Sequence, residues 1–82
     1  MRTISKVFEV ISTTVIQKVA ITEEITIYTV YPKDKKIEVI VEFYDDKGEV
    51  LKKEYFTFTD DKFIENATEE EIWSLIDFER AD

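Results

Sequence analysis

The sequence predicts an α+β fold in which a small antiparallel sheet of four to five strands packs against a C-terminal helix. The first observation is residue type, since Ile and Val together number 19 whereas Leu and Ala together number 5. β-Branched side chains lose rotamer freedom in a helix and pack well on a pleated sheet. The second observation is position, because this bias runs to residue 59 and helix signals follow it. We therefore expect one domain over residues 1–82, strand-rich over 1–59 and helical over 60–82.

Residues 3–22 form the ambiguous part of the chain. Their apolar residues fall at helical spacing, at Ile4, Val7, Phe8, Ile11, Val15 and Val19. The same segment is rich in β-branched residues, which oppose a long helix. We favour strands, of which a single long strand bent near residues 12–14 is one form, with helix as the alternative. A turn at Glu23 and Glu24 would lead into the next strand.

The clearest strand covers residues 25–31. In an extended strand alternate residues share a face. One face holds Ile25, Ile27 and Tyr31, and the other holds Thr26, Tyr28 and Val30. Pro32 ends the strand, and the charged residues 33–36 are expected to form a solvated turn.

Residues 37–44 and 49–58 are predicted to form a hairpin. The core-facing residues of its first strand are Ile37, Val39, Val41 and Phe43. Gly48 is the only glycine in the chain, and a turn that ends at a positive φ angle is where glycine is needed. A three-residue loop would place Glu42 opposite Lys52, although neighbouring registers fit the pattern nearly as well.

The C-terminal helix is marked by its N-terminus. Thr68 and Glu71 have the spacing of a capping box, in which each side chain accepts a hydrogen bond from the backbone amide of the other residue. Glu69, Glu70 and Glu71 also lie where the helix dipole favours negative charge. An apolar arc follows, formed by Ile72, Trp73, Leu75 and Ile76. Such an arc is wide enough to dock on a sheet, and a shorter helical turn is expected before it at residues 61–66.

The composition argues against catalysis and cofactor binding. The chain has no His and no Cys, which removes the commonest general base at neutral pH, the commonest nucleophile and any thiolate metal site. A single glycine excludes a Gly-rich phosphate loop. The acidic clusters at residues 45–49 and 60–61 lack the regular spacing of a calcium loop and are typical of turns and helix starts. We therefore expect a non-enzymatic protein with no cofactor and no bound metal.

The net charge of −8 is unevenly distributed. Residues 65–82 hold seven acidic residues, including Asp82, and one basic residue, so they carry −6. This acidity disfavours direct binding to nucleic acid or to anionic membranes. The alternative hypothesis is an acidic inhibitor that mimics nucleic acid toward a DNA-binding protein, with Glu70 and Glu71 among the mimicking carboxylates. Short apolar runs and the lack of a signal-peptide pattern predict a cytoplasmic protein, or a virion-associated one if a phage encodes it.

One helix is too little to cover both faces of a sheet of four or five strands. Uncovered apolar and aromatic side chains usually mark association. The candidate contacts are Tyr28, Val30, Ile40 and Tyr55 on the uncovered face, and Phe78 on the helix. The leading hypothesis is therefore a protein–protein interaction or structural domain that self-associates into a homo-oligomer. Its size and its lack of motifs are typical of small accessory or assembly proteins of phages and prophages.

Overall fold

The computed structural model describes residues 1–11 and 13–81, so the expectations for Ser12 in a bend and Asp82 in the acidic end lie outside the described residues. The elements are β1 (Arg2–Ile11), β2 (Val15–Tyr31), β3 (Lys36–Tyr44), β4 (Val50–Thr59), a 3-10 turn (Asp60–Lys62) and α1 (Glu69–Arg80). The strands form one antiparallel sheet in the order β1-β2-β3-β4. The predicted α+β class is therefore confirmed, with four strands in the part of the chain that the structure describes.

Residues 3–11 and 15–22 form strands, and the helical alternative is wrong. They are two strands and not one bent strand, because β1 and β2 pair with each other as an antiparallel hairpin. The predicted turn at Glu23 and Glu24 is also wrong, since β2 continues through both residues and is 17 residues long. The physical reason is that Glu23 is held inside the fold by ion pairs, which the local sequence does not reveal.

The length of β2 gives the sheet a stepped outline. Residues 15–23 of β2 pair with β1, and residues 22–31 pair with β3. A straight strand of this length at about 3.3 Å per residue would span roughly 56 Å. The longest dimension of the molecule is 45 Å, so β2 does not run as a straight strand along that axis. The radius of gyration is 14.5 Å, against about 12 Å for a compact chain of this length, because the β1–β2 hairpin extends beyond the rest of the sheet.

The β3–β4 hairpin confirms the predicted turn and corrects the register beyond it. Gly48 has a φ angle of +80°, the left-handed conformation expected of it. A register shift beside Tyr44 then inserts one extra residue, Leu51, into β4. Glu42 therefore lies opposite Lys53, and not opposite Lys52 as a regular three-residue loop would give.

The helix α1 packs on part of one face of the sheet. Thr68 Oγ1 accepts from the Glu71 amide at 3.2 Å and Glu71 Oε1 accepts from the Thr68 amide at 3.1 Å, which confirms the predicted capping box. Ile72 and Ile76 are completely buried against the sheet. They close a core formed by Ala20, Ile37, Val39, Val41, Phe43 and Phe58. Before α1, the helical turn predicted at residues 61–66 is only the 3-10 turn Asp60–Lys62.

Candidate interaction surface

The face of the sheet opposite α1 carries a row of exposed apolar side chains. Ile27, Ile40 and Tyr55 lie directly opposite one another on β2, β3 and β4, and directly opposed residues share a face. Ile27 is 55% exposed and Tyr55 is 69% exposed, while Ile40 between them is partly buried. The predicted candidates Ile40 and Tyr55 are therefore neighbours on the uncovered face, together with Ile27.

Two predicted candidates lie on the other face. A register shift between Ile25 and Ile27 changes the alternation, so Tyr28 lies opposite the buried Val39 and Val30 lies opposite the buried Ile37. Val30 packs against the core, and Tyr28 is half-exposed at its margin. The expectation that these two residues share the uncovered face with Ile40 and Tyr55 is wrong, because strict alternation does not account for a bulge.

Carboxylates continue the uncovered face beyond the apolar row. Glu24 lies directly opposite Glu42, and Glu42 lies opposite Lys53 on the next strand. Burial, followed by the charges of Glu42 and Glu24, raises the pKa of Tyr44. This part of the face is therefore polar, and the apolar surface is divided between the Ile27–Ile40–Tyr55 row and the β1–β2 hairpin.

We name the projecting part of that hairpin the arm, formed by residues 6–11 of β1 and 15–21 of β2. On one face of the arm three cross-strand pairs follow one another, and these are Val7–Val19, Glu9–Gln17 and Ile11–Val15. The aliphatic side chains of the two outer pairs are between 45% and 77% exposed. On the opposite face, Phe8 packs on Phe43 at a ring-centroid distance of 5.1 Å, which joins the base of the arm to the core.

A cleft of about 350 Å³ lies between the arm and the β3–β4 turn. Its walls are Lys18, Val19 and Ile21 on β2 and residues 45–47 and 49 of the turn. Asp45 holds the turn, because its Oδ1 accepts from the amides of Glu49 and Lys47, each at 2.9 Å. The pKa of Asp45 lies below its ordinary value, and the hydrogen bond from the Glu49 amide is the largest cause.

A buried ion-pair network fixes the C-terminal end of α1 to the sheet. Glu23 on β2 is 1% exposed. Arg80 Nη1 donates to Glu23 Oε1 at 3.1 Å, and Arg80 Nη2 lies 3.0 Å from Oε2 without the alignment of a hydrogen bond. Arg80 Nε donates to Glu54 on β4 at 3.1 Å, and Arg2 Nε on β1 lies 3.5 Å from Glu23. These two carboxylates and two guanidinium groups form one charge cluster across four elements, and Arg2 also pairs with Asp77 on α1.

Burial alone would lower the pKa of Arg80. The hydrogen bonds and negative charges of Glu23 and then Glu54 outweigh it, so the pKa of Arg80 lies above its ordinary value. The Glu23 and Glu54 carboxylates therefore favour the charged form of Arg80. The network therefore holds the C-terminal end of α1 against the sheet.

The candidates on α1 have mixed surroundings. Phe78 is 61% exposed, and the ammonium group of Lys62 lies 5.2 Å from its ring centroid. Glu70 is exposed, whereas Glu71 is engaged in the capping box. Two further acidic residues of the helix form ion pairs at 3.0 Å, Asp77 with Arg2 and Glu79 with Lys62.

The described residues contain no group of three or more acidic side chains that is placed to hold a metal ion. Among them there is also no helix long and apolar enough to cross a membrane. Comparisons with protein-family models, with curated proteins and with solved structures found no match.

The prediction from sequence did not include the arm among the candidate sites. A signal was present, because Val7, Glu9 and Ile11 alternate in the same way as Val15, Gln17 and Val19. If the two segments are strands of a hairpin, these alternations give one face with an apolar–polar–apolar pattern. The helical spacing of the same residues obscured this strand pattern.

Proposed function

We propose that this protein is a non-enzymatic interaction domain that self-associates through the surface of its sheet that α1 leaves uncovered. The single observation that carries the proposal is the apolar character of that surface, on the Ile27–Ile40–Tyr55 row and on the arm. Isolated exposed apolar residues are normal in a monomer, but contiguous ones mark contact sites. A homo-oligomer that assembles a larger structure, as phage accessory proteins do, is the corresponding biological role.

The amount of exposed apolar surface on the arm is sufficient for association. Six aliphatic side chains of the arm are 40% to 77% exposed, namely Val7, Ile11, Val15, Ile16, Val19 and Ile21. Together they expose as much surface as about three fully exposed side chains. Burial contributes roughly 1.5–3 kcal/mol of free energy for each such side chain, so covering them in both copies of a dimer would provide about 10–20 kcal/mol. Association loses about 4–15 kcal/mol of translational and rotational free energy. A dimer is thus supported when most of the arm is covered.

Sedimentation equilibrium at several ionic strengths tests the proposal. Two copies of charge −8 repel one another, and salt screens that repulsion. The dissociation constant of an apolar association should therefore fall between about 10 mM and 150 mM salt, over which the Debye length shortens from about 30 Å to 8 Å. A protein that stays monomeric at the highest attainable concentration in both buffers would rule the proposal out.

The alternative, an acidic inhibitor that mimics nucleic acid, has less support. Glu71, Asp77 and Glu79 already accept hydrogen bonds or form ion pairs within the chain, which leaves Glu69 and Glu70 as the most available carboxylates of α1. Binding of such an inhibitor to a basic DNA-binding protein should weaken with salt, opposite to the expectation for self-association. Charge reversal at Glu70 should weaken that binding while the oligomeric state stays unchanged.

A further inference from the structure

The arm has a strand edge that no other strand covers. In the described residues, β3 begins to pair with β2 at Thr22, so residues 15–21 of β2 pair with β1 alone. The cleft beside Val19 and Ile21 is the space that a neighbouring strand would otherwise fill. An open edge flanked by apolar side chains is a template for another strand. By contrast, both outer edges of the sheet carry charged residues, Lys6 and Glu9 on β1 and Lys52, Lys53 and Glu54 on β4. Such charges oppose edge pairing.

The strand that fits this edge is the same segment of a second copy. In a symmetric antiparallel pair, a two-fold axis perpendicular to the sheet passes through one residue position. An axis at Lys18 would set two like charges directly opposite each other, which is unfavourable. An axis at Val19 would require Glu23 at the edge, where it is buried in its ion pairs. An axis at Gln17 avoids the contact between two Lys18 side chains and leaves Glu23 in its ion pairs. It pairs Val15 of each copy with Val19 of the other.

The cross-strand pairs of the arm make this register self-complementary. Val7 lies opposite Val19 and Ile11 lies opposite Val15 on one face of the hairpin. With Gln17 on the axis, Val7 and Val19 of one copy continue into Val15 and Ile11 of the second copy. Two rows of four aliphatic side chains result, one on each side of a central row formed by Glu9 and Gln17 of both copies. Rows of β-branched residues across neighbouring strands stabilise sheets.

Charge favours a second copy as the occupant. The arm carries Lys6, Glu9 and Lys18, so its formal charge is +1, whereas the whole chain carries −8. Two copies therefore meet with the least repulsion arm to arm.

We propose that two copies of this chain pair antiparallel through residues 15–19 of β2, about a two-fold axis at Gln17, and form one continuous sheet. This rests on the proposed function and states which surface the self-association uses. The uncovered Ile27–Ile40–Tyr55 row stays outside this contact.

A single introduced cysteine tests the axis, because the natural chain has none. Gln17→Cys places two thiols opposite each other, with Cα atoms about 4.5–5.5 Å apart in an antiparallel pair, within the range that a disulfide requires. Thr29→Cys is the matched control, since Thr29 is exposed on the other half of the same strand. With oxidised glutathione as oxidant, Gln17→Cys should form covalent dimers at least tenfold faster than Thr29→Cys, as measured by non-reducing electrophoresis.

A second pair of variants tests the contact without oxidation. Val19→Asp should raise the dissociation constant of the dimer at least tenfold, whereas Ile27→Asp, at similar exposure on the uncovered face, should leave it within twofold. Circular dichroism of both variants reports whether they are folded.

The outcomes separate the inference from the proposed function. A protein that dimerises while Thr29→Cys cross-links as fast as Gln17→Cys, or while Ile27→Asp weakens the dimer more than Val19→Asp, overturns the arm pairing and leaves self-association standing. A natural chain that sediments as a monomer overturns both.

Discussion

Replacing Arg80 by alanine would leave the carboxylate of Glu23 buried beside one remaining cation. The substitution removes a hydrogen bond at 3.1 Å and an ion pair at 3.0 Å to Glu23, and a hydrogen bond at 3.1 Å to Glu54. Only Arg2, at 3.5 Å, would still balance a side chain that is 1% exposed. The consequence should be a large loss of stability, since a buried charge without its partner is not solvated.

The size of that loss follows from burial. Removing one partner of a buried ion pair typically costs about 3–5 kcal/mol. Arg80 is 26% exposed and Arg2 remains near Glu23, so we expect a somewhat smaller loss of about 2–4 kcal/mol for Arg80→Ala. A domain of this length has about 4–12 kcal/mol of total stability. The variant should therefore be close to the limit of stable folding.

Urea unfolding followed by fluorescence measures this loss. Trp73 is the only tryptophan, and it lies under the Arg2 guanidinium at 4.3 Å from the ring centroid, so it reports on the helix–sheet contact. Glu23→Gln in the Arg80→Ala background should restore at least about 1 kcal/mol, because neutral Gln needs no counter-charge. Glu38→Gln, which breaks the exposed pair with Lys36 at 3.4 Å, is the control and should cost less than about 1 kcal/mol. A loss of stability for Arg80→Ala no larger than that of this control would refute the conclusion that the network holds α1 against the sheet.

Three further predictions concern local structure and use the same unfolding measurement. Thr68→Ala should cost about 1 kcal/mol by removing the capping box, whereas Thr68→Ser should retain most of it. Gly48→Ala should cost about 1 kcal/mol, because the φ angle of +80° is strained for alanine although no atom lies within 4 Å of the added carbon, and Gly48→Asn should cost less. The pKa of Asp45 is lowered by the Glu49 and Lys47 amides, so its stabilisation is present above the ordinary pKa of about 3.9 and is lost as pH falls through the folded value. The natural chain should therefore lose more stability than Asp45→Asn between about pH 5 and pH 3, and equal slopes would show that the carboxylate does not hold the turn.

The elements that could be predicted from sequence are those with local causes. The start of α1 is fixed by direct hydrogen bonds between Thr68 and Glu71, which are three residues apart. The hairpin turn is fixed by the backbone conformation of Gly48. The errors concern interactions between distant residues. Leu51 shifts the β3–β4 register through a bulge, and a similar shift before Ile27 moves Tyr28 and Val30 to the covered face. Neither bulge leaves a sign in the pattern of apolar residues.

The candidate surface was likewise predictable only in part. Ile40 and Tyr55 lie on the uncovered face as the alternation of β3 and β4 indicates, because those strands are regular at that point. The arm was missed because Ile4, Val7, Ile11 and Val15 fit a helix as well as a strand. Their identity as β-branched residues is the better guide when the spacing fits both.

Glu23 links the error about β2 to the proposed contact. Two successive glutamates after an apolar strand indicate a turn, because two exposed charges seldom continue a buried strand. Glu23 continues it because its carboxylate meets Arg80 and Arg2, residues that lie 57 and 21 positions away in the sequence. A turn at that point would let residues 15–21 fold back onto β3. The uninterrupted strand instead carries them past Tyr44, and the open edge of the arm is the consequence.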